Sequence, residues 1–208
     1  MARDISIAGN QDRCPVIELD PKRVGLIGRR PPDFLKWMPR YEHYGLPWPI
    51  RRGFWDRFVL PFADHPTFRE VETLLAADLD YERLPSFRAA LTQLREKGHA
   101  QLPQMRRNRA FSSEPAVRRH YEDVVSLITS IQQHGYLMDE ENGIGLGVGH
   151  DGRLIKLKHG HHRLAVAQLL GVERVRFRVI AVHPAWMLRS MPAHTVALGD
   201  ALEQSLSA

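Results

Sequence analysis

The segment from Ile144 to Val182 constrains the fold of this chain more than any other. It opens with Ile144-Gly145-Leu146-Gly147-Val148-Gly149, a strict alternation of apolar residue and glycine. A period of two marks a β-strand, here with side chains on one face and none on the other. The bare face leaves room for a ligand or another backbone to approach. His150-Asp151-Gly152 supplies a hairpin turn, and Arg153-Leu154-Ile155-Lys156-Leu157 returns as a second strand. A basic, glycine-centred loop follows, Lys158-His159-Gly160-His161-His162-Arg163. The apolar spacing of Leu164–Leu170 then reads as a helix ending at Gly171, and Val175–Val182 as a closing strand. Upstream, Glu114 and Pro115 open a helix with Val117, Tyr121, Val124, Val125, Leu127, Ile128 and Ile131 at helical period, stopping at His134-Gly135. Helix, hairpin, glycine turn, helix and strand together make an α+β unit.

The rest of the chain is organised around that unit. Residues 1–110 read as an N-terminal arm and a mostly helical, proline- and aromatic-rich extension. Proline recurs at Pro15, Pro21, Pro31, Pro32, Pro39, Pro47 and Pro49, and each removes a backbone donor. Phe34, Trp37, Tyr41, Tyr44, Trp48, Phe54 and Trp55 are interleaved with them. That density of aromatics suits an arm packed on a core better than a disordered tail. Phe68, Val71, Glu72, Leu74 and Leu75 mark one short helix. Phe87, Leu91 and Leu94 mark a second, opened by Pro85-Ser86 and stopped by Gly98. The α+β domain occupies 111–186, and 187–208 is a tail with weak helical character.

Composition limits the classes of function. A net charge of +5 and a pI near 9.6 favour anionic partners, yet the charge is spread in small arginine pairs rather than concentrated. Those pairs read mainly as solvated faces. A single cysteine, Cys14, excludes an internal disulfide framework and a cysteine-rich zinc site. The charged start of the chain lacks a signal-peptide core, and no apolar run reaches membrane-spanning length, so the expectation is a cytoplasmic protein without a membrane partner.

The chemistry concentrates at residues 158–163. A strand that stops at a glycine and feeds a helix aims the first backbone N–H groups of that helix outwards. With the helix dipole and the cations of Lys158 and Arg163, they form an anion site suited to phosphate. Lys158, Gly160, His161, His162 and Arg163 are the candidate binding residues, with His162 orienting the phosphate. His161 or His159 is the candidate base, because imidazole titrates near neutrality. His159 and His161 would also alternate on one strand face, with His150 in the hairpin, as zinc or iron ligands could. No second ligand set accompanies them, so no metal ligand is assigned. The four glycines at 143–149 are followed by a hairpin, which excludes a dinucleotide fingerprint.

At these residues, from about Ala116 to His183, the chain resembles the ParB/sulfiredoxin superfamily. The matching motifs are the helix end Ile131 to Gly135, the turn Asp151-Gly152, and the loop and helix Gly160-His161-His162-Arg163-Leu164-Ala165-Val166-Ala167-Gln168-Leu169-Leu170-Gly171. Pro61-Phe62, His65-Pro66 and Phe68-Arg69 are similar to the helical N-terminal region of uncharacterised ParB-like proteins. The resemblance implies a small-molecule nucleotide partner, a nucleoside triphosphate (ATP or CTP) with Mg2+. It also implies phosphotransferase (kinase-like) or nucleotide-hydrolase activity if the protein is an enzyme. Sulfiredoxin-type reductases carry cysteine where this chain has His161, which argues against thiol chemistry. Partition proteins follow the domain with a DNA-reading module, for which too few residues follow His183. Kinase-like relatives carry aspartate at the position of His159, so a catalytic carboxylate would come from Asp151, Glu140 or Glu141. A non-catalytic nucleic-acid-associated module is the alternative, with a histidine-cluster metal enzyme behind it.

Overall fold

The computed structural model describes residues 16–29, 50–103, 110–136 and 143–190. In chain order its strands and helices are β1 (Val16–Leu19), β2 (Leu26–Gly28), β3 (Val59–Pro61), α1 (Pro66–Ala76), α2 (Pro85–Lys97), α3 (Glu114–His134), β4 (Ile144–Val148), β5 (Leu154–Lys158), α4 (His161–Leu169), β6 (Val175–Val182) and α5 (Pro184–Ser190). They belong to a mixed α+β fold. The chain divides into two compact units, each discontinuous in sequence. No helix among the described residues is long and apolar enough to cross a membrane.

The first unit, residues 1–62, 138–160 and 173–208, carries a six-stranded mixed sheet in the order β1-β6-β4-β5-β2-β3. The expected hairpin is present: β4 pairs antiparallel with β5, and Gly152 takes a positive φ of 90° in the turn between them. β4 also runs parallel to β6, which makes it a central strand, buried at every position. Central strands need cover on both faces. The glycine face of β4 is therefore filled rather than bare, and it offers no room for a ligand. A Cβ on Gly147 would lie 2.6 Å from Leu157 Cδ1 and 2.8 Å from the Trp55 ring, and one on Gly145 would lie 2.6 Å from the Lys158 carbonyl oxygen. Trp55 packs with Ile155 and Ala181, and its Nε1 donates to the Arg51 carbonyl at 2.9 Å. The Arg51 guanidinium lies over the indole, 5.1 Å from the ring centroid.

The N-terminal region departs from the helical extension expected of it. Three strands of the sheet lie between Val16 and Pro61. β1 adds antiparallel to β6, and β2 adds parallel to β5. These strands are three or four residues long and form through partners far away in sequence, so local periodicity carries almost no trace of them. The aromatics Phe34, Trp37, Tyr41, Tyr44 and Trp48, together with Cys14, lie outside the described residues. After β6, His183 Nδ1 accepts from the Ala185 N–H at 3.1 Å and caps α5, a helix the sequence did not announce.

The second unit, residues 63–137 and 161–172, is helical. α1 packs on α4, and α3 packs on both α2 and α4. Proline opens α1, α2 and α3 within their first two positions, where its missing N–H costs nothing. Gly98 closes α2 in the left-handed conformation (φ 70°). Tyr121 is fully buried; its ring meets Phe87 edge-on at 5.4 Å and stacks with Tyr81 at 5.7 Å. Arg118 is held by Glu82 at 2.5 Å and Glu114 at 2.8 Å, as a solvated face would have it.

The cover over β4 gives a direct test. Gly147→Ala forces a methyl group into Trp55 and Leu157, and overpacking of this kind costs about 1–3 kcal/mol. Gly25→Ala meets nothing within 4 Å and should change stability by less than about 0.5 kcal/mol. Urea unfolding of the two variants checks the contrast.

Candidate functional site

The loop that dominates the sequence is built by backbone conformation. β5 ends at Lys158, whose carbonyl accepts a hydrogen bond from the fully buried Lys156 Nζ at 2.7 Å. His159 (φ 52°) and Gly160 (φ 67°) then take successive left-handed conformations. Such a conformation costs a non-glycine residue about 1–2 kcal/mol. The chain is thereby turned into α4, which starts at His161. His161, His162 and Arg163 form the first helical turn, where backbone N–H groups have no intrahelical acceptor. His159 is therefore a turn residue and His161 a helical one, so the two do not alternate on a strand face.

In the helical unit each of the first two α4 side chains meets a histidine or a carboxylate from another helix. The His161 ring stacks on His65 with centroids 5.4 Å apart and planes 21° apart. His65 is itself the N-cap of α1, its Nδ1 accepting from the Thr67 N–H at 3.2 Å. His162 Nε2 lies 2.9 Å from Glu70 Oε2, and His120 Nε2 lies 2.9 Å from Glu70 Oε1. The His120 and His162 rings meet edge-on with centroids 5.8 Å apart. One carboxylate on α1 thus joins an imidazole from α3 and another from α4.

Glu70 has only 5% of its side chain exposed. Burial pushes its carboxyl up, but hydrogen bonds from His120 and His162 outweigh that, and the carboxyl is held below its usual range. The charged form is thereby kept inside the protein with both oxygens engaged. Among the described residues, Glu70, His120 and His162 form the one group of histidine, cysteine and acidic side chains arranged to hold a metal ion.

Sequence reasoning found His162 and missed its partners. Glu70 shares the buried face of α1 with Thr67, Val71 and Leu74, although periodicity placed Glu72 on that face. A carboxylate on a buried helical stripe needs a partner, and that requirement was the available signal. His120 sits between Val117 and Val124 on the buried side of α3 and sends the same signal.

The remaining candidates, Lys158, His159, Gly160 and Asp151, belong to the sheet unit. Asp151 lies in the β4–β5 turn, where it accepts from the Arg153 N–H at 3.1 Å and pairs with Arg153 Nε at 2.5 Å. Slight burial raises its carboxyl, and the bonds from Arg153 more than offset this, holding it below the usual range. Its neighbour His150 makes a pair that the sequence did not indicate. The buried Asp56 Oδ2 accepts from His150 Nδ1 at 2.6 Å and from the His150 backbone N–H at 2.5 Å. Glu140 and Glu141 lie outside the described residues.

No protein-family model, curated protein or solved structure matches the chain.

Tyr121, whose ring lies 5.3 Å from that of His120, reports on this buried environment. Burial pushes its phenol up to about 12; a hydrogen bond to Ser86 lowers it and the nearby Glu70 charge raises it. A folded value above the unfolded one of about 10 means stability that is fully present below pH 10 and lost as pH rises through 12. Alkaline titration followed by phenolate absorbance should show one of the five tyrosines ionising late, together with unfolding. Tyr121→Phe should remove that late step.

Proposed function

We propose that this chain is a nucleotide- or phosphate-binding protein whose anion site is the first turn of α4. The observation that carries the reading is the pairing of two helix N-termini in one unit. α4 begins at His161, α1 is capped by His65, and the two imidazoles stack. Each helix start contributes partial positive charge, and the first turn of α4 adds its backbone N–H groups; those of α1 are taken up by His65. Arg163 adds a guanidinium that can clamp a phosphate through two hydrogen bonds. The turn at His159 and Gly160 delivers the chain into α4 at that point, with Lys158 ahead of it. The resemblance to the ParB/sulfiredoxin superfamily at this same loop supports a nucleoside triphosphate, ATP or CTP with Mg2+, as the ligand.

The reaction class this arrangement suits is phosphoryl transfer or nucleotide hydrolysis. Such chemistry needs mainly positioning and charge neutralisation, which a helix end and an arginine provide. His161 or His159 would supply the base, since imidazole can accept a proton near neutrality. His162 is engaged by Glu70, which leaves it a positioning role.

Thermal melts with ATP and CTP, each with and without Mg2+, test the reading. A ligand at about 100 times its dissociation constant adds about 2.7 kcal/mol, a shift of about 5–10 °C for a chain of this size. Arg163→Ala should weaken binding by roughly ten- to a hundredfold, through loss of a charge-assisted contact. Arg119→Ala on the exposed side of α3 should leave binding unchanged. Flat melts with every nucleotide would overturn the proposal. Equal losses in both variants would assign the binding to diffuse charge and favour a nucleic-acid module instead.

A further inference from the structure

We infer that Glu70, His120 and His162 form a binding site for a divalent transition metal, a two-histidine, one-carboxylate centre of the zinc or iron(II) class. The ligand atoms of the three residues all lie within 4.8 Å of one another. The two imidazole Nε2 atoms each lie 2.9 Å from a different oxygen of the Glu70 carboxylate. Zinc binds imidazole nitrogen and carboxylate oxygen at roughly 2.0–2.2 Å, so donors around a tetrahedral ion sit about 3.3 Å apart. Each nitrogen therefore stands within a few tenths of an ångström of coordination spacing from a carboxylate oxygen, and the whole donor set lies within 4.8 Å.

The origin of the ligands and their surroundings fit the same assignment. They come from α1, α3 and α4, three packed helices that fix the site from separate directions. The inner side is dry: Glu70 is 5% exposed, and the His120 ring rests against Phe111 and Tyr121. The outer side reaches solvent, because the His162 side chain is 30% exposed. Three protein ligands with one accessible side are the pattern of a catalytic rather than a structural zinc site, in which a water or substrate completes the sphere. Two nitrogens and one oxygen suit zinc, iron(II) or cobalt(II) better than Mg2+, which prefers oxygen ligands and octahedral geometry. The metal inferred here is therefore distinct from the Mg2+ that would accompany a nucleotide, and the inference does not rest on the phosphate reading.

Metal entry requires a change of tautomer, with no net loss or gain of protons. In the metal-free protein both rings can present Nε2–H to the carboxylate, which closes two hydrogen bonds. To ligate, each ring must offer the Nε2 lone pair and carry its single proton on Nδ1. The carboxylate then exchanges two hydrogen-bond donors for one cation, and its charge remains compensated.

The full untagged chain, stripped with a chelator and titrated with Zn2+ by calorimetry in the absence of nucleotide, tests the site. One equivalent should bind. Co2+ should give the intense visible absorption of a four- or five-coordinate ion, and X-ray absorption of the zinc-loaded protein should report two imidazoles. Glu70→Gln, His120→Ala and His162→Ala should each weaken Zn2+ binding roughly a hundredfold or more, a larger loss than outer-sphere changes cause. His134→Ala at the exposed end of α3 should change nothing. If a variant fails to fold, the wild-type cobalt spectrum and the imidazole count still decide. Failure of the wild type to take up stoichiometric Zn2+ or Co2+, a zinc sphere without imidazole, or undiminished affinity in all three variants would overturn the inference. Nucleotide melts in the presence of chelator keep its failure separate from that of the phosphate reading.

Discussion

A strand in the middle of a mixed sheet must be covered on both faces, and β4 carries side chains for only one of them. The sheet unit depends on how that deficit is met. Trp55 and Leu157 occupy the space above Gly147, and the Lys158 carbonyl occupies the space at Gly145. The glycines are fixed by what lies against them, since any Cβ there would meet a rigid ring or a backbone atom. Trp55 is held in turn by its hydrogen bond to the Arg51 carbonyl and by the Arg51 guanidinium over its face. An indole anchored in this way brings about 150–250 Å² of apolar surface to the core. It thereby ties the segment around residue 55 to strands that lie a hundred or more residues later.

In the helical unit the corresponding constraint is a buried charge. An isolated carboxylate inside a protein costs several kcal/mol, and removing one member of a buried pair typically costs about 3–5 kcal/mol. Glu70 meets this cost by engaging two imidazoles at once, one per oxygen. Well-packed apolar residues could stabilise three helices at least as well. The meeting of Glu70, His120 and His162 at the junction of α1, α3 and α4 is therefore not accounted for by stability alone. The Asp56–His150 pair in the sheet unit follows the same logic on a smaller scale, with a single buried oxygen accepting two bonds.

What the sequence disclosed follows from the range of each signal. The β4–β5 hairpin, the Gly160 turn, α2, α3, α4 and β6 rest on periodicity and glycine placement within a few residues, and those were legible. β1, β2 and β3 rest on pairing with β6, β5 and one another across long separations, and the prolines around them obscured what alternation they had. The candidate site divides in the same way. The loop 158–163 could be read because its residues are contiguous. Glu70 and His120 could not be joined to His162, because fifty residues separate the first two and their meeting depends on helix packing. A carboxylate and an imidazole on the buried stripes of two amphipathic helices are misfits, but they show as such only once the register of each helix is fixed. The alternation of His159 with His161 failed for a local reason: two successive left-handed residues end the strand before His161.

The first turn of α4 shows how adjacent residues can serve opposite charges. Successive side chains on a helix point about 100° apart, so His161, His162 and Arg163 address three directions from one turn. His161 faces the N-cap of α1, and His162 faces the carboxylate of Glu70. The backbone N–H groups at this helix start favour an anion, whereas Glu70 with its two imidazoles favours a cation. The two preferences do not compete, because one rests on main-chain donors and the other on side chains turned towards α1 and α3. A cation on the triad would add positive charge beside a helix end that already favours negative charge, and Coulomb attraction in a partly buried setting would strengthen an anion bound there. His162 is the residue that couples the two, since it contributes its backbone to the helix start and its ring to the triad. An exchange of that ring for another side chain would break the triad while leaving the backbone donors of the helix start in place, so any loss of anion affinity that followed would measure the coupling between the two.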